Sequence, residues 1–153
     1  MSSLSSMPLS TPPARRALAK RYPLPFVRDA MLRCIERRGA RWTFFDAREV
    51  PRISARQKHA CFTPPFDPSA HEQWLDVPLH ALARKLAPLG FVRIHRSELI
   101  NLRFLRAVVR PRRPARAGLV VELSDGQHVQ VSRRYTAQLR RALEQMVASP
   151  PGA

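Results

Sequence analysis

The sequence has no long apolar run, because Arg, Pro or His interrupts every hydrophobic stretch before it reaches the roughly 18 to 20 residues that a membrane span needs. A helical membrane protein is excluded, and a soluble chain is expected. Cysteine is scarce: Cys34 and Cys61 stand in no metal-ligand spacing and are too few for a disulfide scaffold. Reduced thiols in a cytoplasm are the simplest account, and both fall on predicted strands, where a buried thiol is the ordinary occupant. Acids number 11 and are scattered singly, whereas nuclease chemistry needs clustered carboxylates around Mg²⁺. G-x-S-x-G, H-E-x-x-H, P-loop and C-x-x-C motifs are all missing, and His59, His71, His80, His95 and His128 are dispersed. The sequence therefore predicts neither an enzyme nor a metal or cofactor site, and no small-molecule ligand. Aromatic residues make up only 7%, without a stacking platform on a strand, which disfavours the alternative of a basic RNA-binding or ribosome-associated protein.

What the sequence has in excess is positive charge. Lys+Arg number 27 against 11 Asp+Glu, a formal net charge of +16, and a chain that repels itself so strongly expects a polyanion. Lysine is confined to Lys20, Lys58 and Lys85, so the surplus is arginine, whose planar fork suits phosphates and guanine edges. With 153 residues, 44% of them hydrophobic, the chain has material for one domain with its own core and a short tail.

Residues 1–29 are rich in Ser and Pro, contain almost no acid and lack periodicity; they read as a disordered basic tail. Arg15-Arg16 is a twin arginine, but no apolar stretch follows it, so no cleaved signal is expected. Residues 30–148 form the predicted domain, and 149–153 a disordered C-terminus. MLRCIER and RWTFF read as a hairpin around Gly39, DAREV as a turn-like link, and RISAR and HACF as a second pair of short strands. TPPFDPSA has too many prolines for regular structure. WLDV is a brief strand; Asp76 and Pro78 then open a helix with apolar positions Leu79, Leu82, Ala83 and Leu86, closed by Pro88 and Gly90. FVRIH alternates, and ELINLRF is ambiguous. LRAVVRP and LVVEL are strands flanking an exposed basic run from Arg110 to Arg116, and Asp125-Gly126 turns LVVEL into QHVQV. Ser132 is placed to cap a helix from Arg133 to about Val147, with Tyr135, Leu139, Ala142, Leu143 and Met146 on one stripe. The expected fold is mostly β, with one central and one C-terminal helix.

Basic residues gather where these elements end. Arg133 and Arg134 open the last helix, where the positive end of the helix dipole opposes them; a bound phosphate or base edge would reverse that sign, while solvated arginines paired with a Glu are the plain alternative. His95-Arg96-Ser97 follows an alternating strand directly, and Arg96 has no local duty. His95 and Asn101 suit hydrogen bonds to nearby backbone. Arg56, Lys58 and His59 form a further basic tip.

Gly90-Phe91-Val92-Arg93-Ile94-His95-Arg96-Ser97, then Leu99-Ile100-Asn101, then Leu123-Ser124-Asp125-Gly126 and Val129-Gln130-Val131-Ser132-Arg133-Arg134-Tyr135 resemble, in order and spacing, the LytTR-type DNA-binding domain of bacterial response regulators. The resemblance covers residues 31–148 and implies an elongated antiparallel β fold that lays strand-connecting loops into successive major grooves of double-stranded DNA. By position it implies base contacts from His59, Arg96 and Arg134, with Lys58, Ser97 and Arg133 beside them on phosphates or bases, and His95 and Asn101 shaping the loop that presents Arg96. The segment from Pro51 to His59 departs from the family pattern, as does the proline-rich loop from Thr63 to His71. Fewer than about 30 residues precede the domain, too few for a receiver domain, so a stand-alone transcriptional regulator is expected. It would be cytoplasmic and nucleoid-associated, bind neighbouring repeats as two or more copies, and be open to sequestration by a small membrane protein.

Overall fold

The computed structural model of the chain describes residues 30–35, 41–64, 71–112 and 118–148. The two tails, the turn at Gly39, residues 65–70 of the proline-rich loop and residues 113–117 of the basic run lie outside the described residues. Among the described residues, ten strands form two antiparallel sheets. The larger sheet joins β1 (Met31–Ile35), β2 (Trp42–Asp46), β3 (Arg52–Arg56), β4 (His59–Phe62), β5 (Gln73–Leu75), β6 (Phe91–His95) and β7 (Glu98–Asn101) in the order β2-β1-β5-β4-β3-β7-β6. The smaller joins β8 (Leu105–Val109), β9 (Val120–Leu123) and β10 (His128–Gln130) in the order β10-β9-β8. The mostly-β architecture with a central and a C-terminal helix is thus the one that alternation in the sequence predicts.

The central helix α1 (Leu79–Leu86) buries Leu79, Leu82 and Leu86 against the larger sheet, the face set by their i, i+3, i+7 spacing. Asp76 does not cap it. Pro78 takes the cap position without a side-chain hydrogen bond, and the Asp76 carboxylate lies 3.5 Å from Arg33. Past α1 a 3-10 turn (Ala87–Leu89) ends at Gly90, whose φ of 92° requires a residue without a side chain to reverse the chain into β6.

Two cores meet on the β6–β7 hairpin. Phe91 and Leu99 join the first, with Leu32, Ile53, Phe62, Leu75 and the apolar face of α1. Val92, Ile94, Ile100 and Leu102 point the other way and join Val121, Leu123, Val129, Val131 and Leu139 in the second. Alternating residues of one hairpin therefore fill both cores. The last helix, α2 (Thr136–Ala148), starts later than its stripe suggests: Arg133–Tyr135 form a 3-10 turn ahead of it. Ser132 gives no side-chain cap; its carbonyl accepts instead from the Tyr135 N–H at 2.9 Å and the Thr136 hydroxyl at 3.3 Å. Leu139, Ala142, Leu143 and Met146 pack on the second core as the stripe requires.

Asn101 is fully buried at the open end of the hairpin. Its Nδ2 donates to the carbonyls of Arg48 and Val50, each at 3.2 Å, and its Oδ1 accepts from the Arg103 N–H at 3.1 Å. One amide thus serves the crossing between β2 and β3 and the 3-10 turn after β7.

Removing this amide strands two inward carbonyls, so Asn101→Ala is expected to lower stability by about 2–3 kcal/mol, read as a shift in urea midpoint. Burial pushes both thiols, Cys34 and Cys61, up from 9.0 to about 12. Since the folded values lie above the unfolded ones, their contribution to stability is complete below pH 9 and is lost as pH rises toward 12. Neither thiol should react with a disulfide reagent in the native protein at pH about 8, while both should react on unfolding.

Candidate nucleic-acid interface

Three basic turns come to one end of the larger sheet. The β3–β4 turn carries Arg56, Gln57, Lys58 and His59, all exposed. Gln57 has a φ of 57°, a left-handed conformation that costs a residue with a side chain about 1–2 kcal/mol and is common at functional turns. His59 stands edge-on to the half-buried Trp74 ring, centroids 6.0 Å apart. The β6–β7 turn presents Arg96, exposed, with Ser97 behind it. The third is the 3-10 turn from β10 into α2, where Arg133 and Arg134 are exposed. Both arginines precede the first α-helical turn rather than occupying it.

Backbone hydrogen bonds set the order of the turns. Ser54 pairs with Glu98 in the β3–β7 ladder, and the Ala55 N–H donates to the Ser97 carbonyl at 2.8 Å, which aligns the first two turns. On the other side, the Ser132 N–H donates to the Ile94 carbonyl at 2.8 Å, which docks the third turn on β6. His95 holds its own turn: Nδ1 lies 2.8 Å from the Ser97 hydroxyl and accepts from the Ser97 N–H at 3.2 Å. Asn101 lies at the opposite end of β7, so its hydrogen bonds shape the β2–β3 crossing and not the turn of Arg96.

The carboxylates near this end are held by basic neighbours. Glu98 takes a two-pronged contact from Arg52, Nε at 2.7 Å and Nη2 at 2.8 Å, plus the Ser54 hydroxyl at 2.8 Å. Arg52 also donates to Gln127 at 3.1 Å, bridging to the β9–β10 turn of the smaller sheet. These hydrogen bonds to Glu98 raise the Arg52 pKa further. Glu72 lies 3.3 Å from Arg56. With its acids so occupied, the end of the sheet carries a net positive field, suited to phosphates. No group of three His, Cys, Asp or Glu able to hold a metal ion occurs among the described residues, and no described helix is long and apolar enough to cross a membrane.

Between the β6–β7 turn and the third turn opens a cavity of about 240 Å³ lined by His95, Gly118, Gln130, Val131, Ser132 and Arg133. At Gly118 the chain passes close to the Val131 backbone, since a side chain there would meet the Val131 carbonyl at 2.8 Å. Sequence reasoning missed three features. The Arg52–Glu98–Gln127 link joins residues far apart in the chain, with no local signal. The contact of Arg93 with Tyr135, ring centroid at 5.7 Å, joins the middle of β6 to the 3-10 turn before α2, again with no local signal. Finally, an aromatic pair does stand exposed on a strand: Trp42 and Phe44 alternate along β2, 60% and 50% exposed, with the Arg33 guanidinium 5.2 Å from the Trp42 ring.

A family model described as the LytTr DNA-binding domain matches residues 42–144. Among solved structures, the fold is similar to that of a LytTr DNA-binding domain from Bacillus cereus, with a TM-score of 0.59 and 18% identity over 74% of this chain and 96% of that one. No curated protein matches the sequence.

Because a Cβ at Gly118 meets backbone rather than a side chain that could swing away, Gly118→Ala is expected to cost about 1–3 kcal/mol. The displacement should register as a changed amide resonance at Ser132.

Proposed function

Since the chain belongs to the LytTR family of DNA-binding domains, we propose that it regulates transcription by reading specific sequences of double-stranded DNA through its three basic turns in the major groove. DNA binding follows from the family, which is not enzymatic. The observation that carries the finer reading is the alignment of the three turns by the Ala55–Ser97 and Ser132–Ile94 backbone bonds, which brings Lys58, His59, Arg96 and Ser97 at one end of the larger sheet beside Arg133 and Arg134 in the turn docked on β6. In this reading Arg96 and Arg134 take guanine edges and His59 a further base. Lys58, Ser97 and Arg133 take phosphates or neighbouring base atoms and fix the register. Two or more copies occupy neighbouring repeats, and the protein acts at the nucleoid in the cytoplasm. A small membrane protein that sequesters it is the partner to seek by co-purification.

Trp42 and Phe44 on β2, with Arg33 beside them, favour a second reading, in which a single-stranded or structured RNA stacks on that strand. Selection of sheared genomic DNA by the purified protein at about physiological salt, with tRNA as competitor, separates the two. Enrichment of a short repeated duplex motif is the expected result; binding lost to tRNA without enrichment would favour the RNA reading and overturn the first.

With the enriched duplex in hand, Arg96→Ala is expected to cost about 1–3 kcal/mol on that sequence and little on random DNA. Arg112→Ala, at an exposed position just beyond β8, should weaken all duplexes alike and reduce the slope of log K against log salt by about 0.9. Equal behaviour of the two variants would remove the division between base and phosphate contacts.

A further inference from the structure

Behind the β6–β7 turn lies one side chain that touches two of the three turns. Arg93 is half-buried in β6, at the point where its ladder with β7 shifts register between Arg93 and His95. Its Nη2 donates to the Arg96 carbonyl at 2.5 Å and its Nε to the His95 carbonyl at 3.4 Å. The same guanidinium stands 5.7 Å from the centroid of the Tyr135 ring, in the turn that carries Arg133 and Arg134. A guanidinium offers directed donors and a delocalised cation that an aromatic ring attracts, so one group serves both turns. A lysine keeps the charge but has neither the fork nor the flat face. The two carbonyls are also partial negative charges on an end of the molecule that is otherwise basic, and Arg93 covers them. The side chain is thereby committed to the protein, which distinguishes it from the exposed Arg96 and Arg134 on either side.

We propose that Arg93 is a positioning residue for DNA reading: its guanidinium clamps the carbonyls of His95 and Arg96 to the ring of Tyr135 and so fixes the separation of Arg96 from Arg134. The proposal rests on the reading of Arg96 and Arg134 as base contacts, and it assigns Arg93 no phosphate of its own. Bases separated along a groove are read together only if the groups that meet them are held at a fixed distance beforehand. Loss of the clamp therefore lowers affinity for the matched sequence while leaving the phosphate-driven background in place.

Five variants and one measurement on the free protein test it. Arg93→Lys, which keeps the charge, is expected to lose about tenfold in affinity for the enriched duplex and less than about twofold for a random one, with the salt slope unchanged. Tyr135→Leu should reproduce that loss from the other side of the clamp, and the double variant should be no worse than either single one, as for two ends of one contact. Tyr135→Phe keeps the ring face and should bind as the unaltered protein does. Without DNA, amide exchange at Arg96, Ser97, Arg134 and Tyr135 should accelerate together in Arg93→Lys, with the thermal midpoint as the check on folding. Should Arg93→Lys lower that midpoint markedly, Tyr135→Leu carries the test. The clamp is overturned if Arg93→Lys binds both duplexes as before, if it weakens both equally, or if Arg93→Gln reduces the salt slope by about 0.9, the mark of a direct phosphate contact. If genomic selection enriches no duplex, the DNA reading fails by itself, and the exchange measurement still decides whether Arg93 couples the two turns.

Discussion

The β6–β7 hairpin is buried on both faces, and the rest of the structure is arranged around that constraint. Ile94, Leu99 and Ile100 are fully excluded from water, yet Leu99 faces one core and Ile94 and Ile100 the other. Each fully buried aliphatic side chain contributes about 1.5–3 kcal/mol, and here the contributions of two cores are delivered through nine residues of backbone. The larger sheet with α1 and the smaller sheet with α2 cannot separate without exposing one face of this hairpin. Its turn is consequently the most firmly supported point at the basic end, and it is where Arg96 stands.

The same double burial explains what could be read from the chain in advance. A strand with one wet face, such as LVVEL, declares itself by alternation. The segment ELINLRF does not, because in β7 Leu99 and Ile100 are consecutive and both buried. A strand covered on two sides resembles a short buried helix in sequence. The late start of α2 has a different cause. The Ser132 carbonyl is engaged by Tyr135 and Thr136, and its N–H is drawn to Ile94, so a tertiary contact decides the helix boundary. For the candidate site, the local features were legible: exposed basic turns between strands, and a His-Arg-Ser run where no packing calls for one. Which turns lie side by side was not legible from those features, since it depends on the pairing of Arg52 with Ile100 and Ser54 with Glu98, long-range register that no local pattern encodes.

Charge is organised by the same pairings. The carboxylates of Asp46, Glu72, Asp76, Glu98 and Glu122 each lie on a basic partner, and Asp46 with Arg48 is nearly closed to water. The exposed pairs add little stability individually. Their consequence is to the field: acids are consumed locally, and the arginines left over, Arg96, Arg106, Arg110, Arg112 and Arg134 among the exposed ones, set the sign of the surface. A chain with net charge +16 thus remains folded because its two apolar cores oppose a repulsion that solvent and salt already screen.

The three turns differ in how they are held, and that difference bears on what each can do. The β6–β7 turn is backed by both cores, by His95 on Ser97 and by Arg93 on its carbonyls. The turn at Arg133–Tyr135 is tied to it through Ser132 and Ile94 and anchored by Leu139 in the second core. The β3–β4 turn extends beyond its last ladder pair, Arg56 with His59, and rests on a strained Gln57 and the ring contact of His59 with Trp74. Discrimination between bases depends on groups held in place before the encounter, whereas attraction to phosphate tolerates movement. On the proposed reading, then, sequence selectivity concentrates at Arg96 and Arg134, and Lys58 and His59, on the turn with fewer supports, follow the groove those two occupy.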